Sequence, residues 1–157
     1  MMELNDYLIA LFFHILFVFM WLSVGIINIF LKRIYRDVKG TAQEIKLFKY
    51  ANLGNTMSIG AALGTLLTGG YMIEIGNWGW LPFDTNLWLA VKQIIWIILF
   101  IAGGAIMDPL HRKLKKLIDD DGSIEEMRLL VKRLNVRIQI FSGLIIVNIF
   151  LATNKPF

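Results

Sequence analysis

Residues 7–31 read YLIALFFHILFVFMWLSVGIINIFL, a stretch without a single Asp, Glu, Lys or Arg. Such a run reaches across a hydrocarbon core, which takes roughly 20 apolar residues at about 1.5 Å rise each. Three more runs follow: 50–73 has no such charge, 85–107 has only Lys92, and 138–154, the shortest, has none. The hydrophobic content of 57% and mean hydropathy of +0.62 agree with the membrane class. The predicted fold is an all-α membrane protein, a four-transmembrane-helix bundle that forms one domain over residues 1–157.

Charge sets the expected orientation. Lys32, Arg33, Arg36, Lys39, Lys46 and Lys49 lie between the first two spans, and Arg112, Lys113, Lys115, Lys116, Arg128, Lys132, Arg133 and Arg137 between the last two. The connection from Gly76 to Asp84 has no Lys or Arg. The positive-inside rule then puts both basic connections in the cytoplasm and both termini outside, with Trp78, Trp80 and Phe83 at the outer interface. The net charge of +4 is accounted for by membrane lipid and topology, so no nucleic-acid partner is expected. The acidic N-terminus lacks the basic n-region and cleavage site of a secretory signal.

Helix starts are legible too. Thr41-Ala42-Gln43-Glu44 and Ser123-Ile124-Glu125-Glu126 read as capping boxes, so the second and fourth helices begin well before the membrane. Leu110, Leu114 and Leu117 carry the third helix past Asp108-Pro109, where a proline kink is expected, into the cytoplasm. Asp119-Asp120-Asp121-Gly122 reads as a solvated turn, since it lacks the ligand spacing of a calcium loop.

Two ionisable side chains, His14 and Lys92, sit well inside spans. An intramembrane ionisable group is costly and marks a functional site by default. With the N-terminus outside, His14 lies about 10 Å and Lys92 about 8 Å below the outer ends of their helices. One site can therefore hold both. Glu74 is a candidate counter-ion, and His111, among basic residues, reads as exposed. Tyr7, His14, Trp21 and Asn28 recur every seven residues, with Gly25 beside them, forming a stripe that should face protein. On the second helix Gly60, Gly64, Thr68 and Tyr71 share a face, where the glycines permit close helix approach or leave room for a flat cofactor.

The absence of cysteine excludes thiolate nucleophiles, iron–sulfur clusters and disulfides. One intramembrane His leaves few ligands for a bare transition metal, although Met57 and Met72 offer thioethers. Imidazole is, however, a common axial ligand of haem iron, and a nearby cation suits porphyrin carboxylates. The candidate site is His14 and Lys92, with His14 as the candidate iron ligand and Trp21, Gly64, Thr68 and Trp96 as further cofactor contacts; a proton path through His14 and Lys92 stands beside this reading.

His14 followed by Trp21, Trp88-Leu89-Ala90-Val91-Lys92, Lys132-Arg133-Leu134-Asn135 and the terminal Lys155-Pro156-Phe157, taken in that order, resemble the HemJ-type protoporphyrinogen IX oxidase family. The resemblance runs along almost the whole chain. It implies a haem b membrane protein of porphyrin biosynthesis in the bacterial inner membrane, with His14 and Lys92 essential. The implied reaction removes hydrogen from a porphyrinogen, with a membrane quinone as electron acceptor. The chain departs from the family pattern at Leu11, at Leu31-Lys32-Arg33, near Asn55 and Thr56, and around Val136 and Arg137. Two alternatives stand beside the oxidoreductase: a haem-binding or assembly subunit within a larger membrane complex, and a small transporter or proton-conducting bundle. The small-residue faces leave room for a homo-oligomer or a partner membrane subunit.

Overall fold

The computed structural model describes residues 4–154. Met1–Glu3 and the Lys155-Pro156-Phe157 stretch lie outside the described residues, as do the side chains of Leu4 and Asn55. The described chain is helical with no strand: α1 (Leu4–Val38), α2 (Gln43–Gly76), α3 (Leu87–Ala102), a π-helical turn (Gly103–Met107), α4 (Asp108–Asp119) and α5 (Ile124–Asn154). The α3 helix, the π turn and α4 continue as one rod, so four helices in all are long and apolar enough to cross a membrane.

The π turn has a cause in the sequence. Pro109 has no N–H to give to the carbonyl four residues back, and its ring crowds that carbonyl. The chain responds by widening one turn ahead of the proline, where the Asp108 N–H bonds to the Gly103 carbonyl five residues back. The expected proline kink is thus a π turn built from Gly103, Gly104, Ala105, Ile106 and Met107.

The other ends are closed by backbone geometry. Asn77 takes a left-handed conformation after α2, and the Trp78 N–H reaches the Ile73 carbonyl at 3.2 Å. Asp121 likewise has φ 47°, and the Gly122 N–H bonds to the Leu117 carbonyl at 2.8 Å, closing the turn read from the three aspartates. Each capping box forms only in part. Ser123 Oγ accepts from the Glu126 N–H at 3.4 Å, but the Glu126 carboxylate goes to Lys113 at 2.6 Å. Thr41 Oγ1 accepts from the Gln43 N–H, and the Glu44 carboxylate accepts from the Gly40 N–H while turning inward to α5.

The closest pair is α1 with α2, antiparallel, and α5 packs against α3 and α1. A central core holds Trp21, Ala61, Leu99 and Ile145. A second core lies toward the basic end, where Phe48, Met107, Leu114 and Ile118 meet Met127 and Leu134. Outside these cores large apolar side chains point outward, with Phe12, Phe19, Phe30, Leu67 and Ile101 all more than 60% exposed. That surface suits hydrocarbon. In water it would be an aggregation-prone patch.

The seven-residue stripe on α1 faces protein. Trp21, Gly25 and Asn28 are buried, and Tyr7 and His14 half-buried. The stripe continues one step further to Tyr35, whose hydroxyl donates to Glu44 Oε1 at 2.9 Å. On α2 the expected face is rotated: Tyr71 is 49% exposed and Gly60 is open, while Ala61, Gly64 and Thr65 are buried.

Candidate functional site

His14 projects from α1 onto α2. Its Nδ1 lies 3.0 Å from Thr68 Oγ1, and that hydroxyl in turn lies 2.7 Å from the Gly64 carbonyl. With the hydroxyl proton given to the carbonyl, Oγ1 accepts from the Nδ1–H tautomer of His14, whose ring also lies beside the Thr65 backbone. Nε2 is left with its lone pair. Gly69 gives the ring its room, since a Cβ there would stand 3.0 Å from His14 Cε1. An open groove of about 320 Å³, lined by Asp6, Ile9, Ala10, Leu67, Thr68 and Tyr71, passes the same threonine.

Lys92 lies near enough to His14 for their charges to interact. The two residues singled out by depth thus share one neighbourhood. Lys92 is half-buried on α3 and makes no ion pair with any acid among the described residues. Glu74 does not serve it. The Glu74 carboxylate accepts instead from the Trp80 indole at 2.7 Å, holding the loop between α2 and α3. Gln93 holds the same loop, with Oε1 accepting from the Leu81 N–H at 2.6 Å.

Two buried polar atoms on α3 and α5 lack partners among the described residues. One is Trp96 Nε1, one turn from Lys92 on the same face of α3, and the other is Asn148 Oδ1 on α5. Asn148 Nδ2 donates to the Lys92 carbonyl at 3.4 Å, which ties α5 to this stretch. The Trp96 ring stacks on Phe100 at 5.2 Å.

The remaining expected contacts are distributed differently. Gly64 offers no slot for a flat group, because the Phe17 ring occupies it: a Cβ would lie 2.5 Å from the ring atoms. Its role is close helix packing. Trp21, 8% exposed, sits deeper, in the central core and against a separate cavity. His111 is the clearest departure, 3% exposed instead of free. With Leu114 and Ile118 it forms the inward face of α4. Spacings of three and four were the available signal, masked by the basic neighbours.

Nearer the basic end, Glu44 is 1% exposed and joins three elements. Arg128 clamps it through Nε at 2.7 Å and Nη2 at 2.8 Å, and also pairs with Glu125. The Arg128 guanidinium holds the Glu44 carboxyl at about 2, against the upward push of burial and aided by the Gly40 N–H and the Tyr35 hydroxyl. Burial and the adjoining carboxylate raise the Tyr35 hydroxyl to about 12. This cluster is structural.

Among the described residues no three His, Cys, Asp or Glu side chains come together as a metal cage. No family model, curated protein or solved structure matches the chain.

Proposed function

We propose that this chain is a haem b-binding membrane oxidoreductase acting on a tetrapyrrole, as the resemblance to HemJ-type protoporphyrinogen IX oxidases implies. The observation that supports it is an imidazole held by Thr68 with Lys92 close by, a lysine that has no acid partner among the described residues. In this reading His14 would hold the iron through Nε2, with its ring held by Thr68 and given room by Gly69. Lys92 Nζ, with Trp96 Nε1 as a second donor, binds the carboxylates of the porphyrin or porphyrinogen. A cation without a counter-ion inside a span is costly, and an anionic ligand offsets that cost. Haem bound here would supply one-electron redox chemistry. Membrane quinone is the proposed acceptor.

In the proposed orientation both termini lie outside the bacterial inner membrane, and α4 and the first turns of α2 and α5 project into the cytoplasm with the basic residues. The His14–Lys92 site then lies in the outer half of the bilayer.

Complementation tests the enzyme reading. A strain lacking its protoporphyrinogen oxidase should regain haem synthesis when this chain is expressed, and should not with His14→Ala. Absence of rescue by well-expressed wild type would leave a haem-binding subunit and remove the oxidase.

A further inference from the structure

A second cavity, of about 280 Å³, lies toward the basic end of the bundle. It is separate from His14 and Lys92. Its walls are apolar and aromatic, with Trp21, Leu99, Phe100 and Phe141 prominent, and the π turn contributes Gly103 and Gly104. His111 lines it, and its Nδ1 is buried without a partner among the described residues. A buried polar atom left unpaired costs about 1–3 kcal/mol, so such an atom beside an open cavity points to a ligand. Ser58 and Ser142 add hydroxyls, and Asp108 adds a carboxylate paired with Arg112 at 2.7 Å.

The opening faces hydrocarbon. Ile59, Leu63 and Phe100 line the cavity and are each more than 40% exposed, so a guest enters from the lipid between α2 and α3. The volume lies near the small end of the ~300–1,000 Å³ typical of ligand pockets. It admits one substituted ring.

We infer that this cavity binds a lipid-soluble quinone-class ring, with a ring oxygen hydrogen-bonded to His111 and the ring among Trp21, Phe100 and Phe141. The chemistry matches on three counts. A quinone is delivered by the membrane, it is flat and apolar across its faces, and it carries its polar atoms at its edge. The π turn makes the room, because Gly103 and Gly104 face open space where side chains would stand.

Decylubiquinone titrated into full-length protein in detergent, with quenching of tryptophan fluorescence as the signal, tests the assignment without any haem present. Its outcome is therefore read independently of tetrapyrrole binding. Wild type should quench saturably. His111→Leu should weaken binding about five- to tenfold through the lost hydrogen bond. Gly103→Leu, which fills the cavity and keeps the imidazole, should abolish the saturable part with helicity by circular dichroism unchanged. His111→Gln, which keeps an N–H and an acceptor, should recover most of the affinity. Quenching that rises linearly in wild type, or equal affinity in wild type and both leucine variants, would overturn the proposal.

Discussion

Glu44 and Arg128, 84 residues apart in sequence, meet in a two-point ion pair, with Oε1 to Nε at 2.7 Å and Oε2 to Nη2 at 2.8 Å. The pair joins the start of α2 to α5, and Tyr35 brings in α1. Truncating Glu44 leaves Arg128 with only the exposed Glu125 as its acid and removes the acceptor of the Tyr35 hydroxyl and the Gly40 N–H, which is destabilising. Glu44→Ala should lower the thermal unfolding midpoint in detergent by about 5 °C or more. Arg128→Lys should not preserve the wild-type midpoint, because an ammonium cannot reproduce the two-point geometry.

The same carboxylate predicts a pH dependence. Its folded value of about 2 lies below its ordinary 4.5, so its contribution is complete above 4.5 and is lost as pH falls through the folded value. The midpoint difference between wild type and Glu44→Gln should be constant from pH 7 to 5 and shrink between pH 4.5 and 2. A difference that grows on acidification would contradict the pairing.

Four helices were legible because membrane spans are written in runs without charge, and Lys92 stood out against such a run. The expected closeness of His14 and Lys92 followed from helix rise alone, and the structure brings the two near each other. What the sequence could not convey were choices among partners. Glu44 reads equally as a capping residue, and only the arrival of Arg128 from α5 selects the inward pairing. Glu74 read as a counter-ion for Lys92, and the indole of Trp80 in the adjoining loop takes it instead. Gly64 left a gap that Phe17, one turn beyond His14, fills. His111 looked exposed because Arg112 and Lys113 follow it, although it belongs to the Leu114 and Ile118 face.

The contact between Gly64 and Phe17 is testable by crowding. Gly64→Ala places a Cβ 2.5 Å from the Phe17 ring, and overpacking of this kind costs about 1–3 kcal/mol. Adding Phe17→Ala should return part of that loss. Equal stability of Gly64→Ala and wild type would mean that the ring swings freely into lipid.

Thr68 orients the His14 ring through Nδ1, so its influence should reach a ligand on Nε2. Thr68→Val keeps the shape and removes the acceptor. Haem affinity should fall about 10–100-fold, the range seen when the outer partner of a ligating histidine is lost. Lys92→Met should abolish complementation while retaining part of the haem. Full activity in that variant would reduce Lys92 to an anchor of α3.

The most direct measurement is the optical absorption spectrum of detergent-purified protein from haem-replete cells, beside that of His14→Ala. Coordination through Nε2 predicts a Soret band in wild type that is lost in the variant, while the variant keeps its helical circular dichroism. A wild type without the band, or a variant with the band unchanged, would contradict haem ligation by His14.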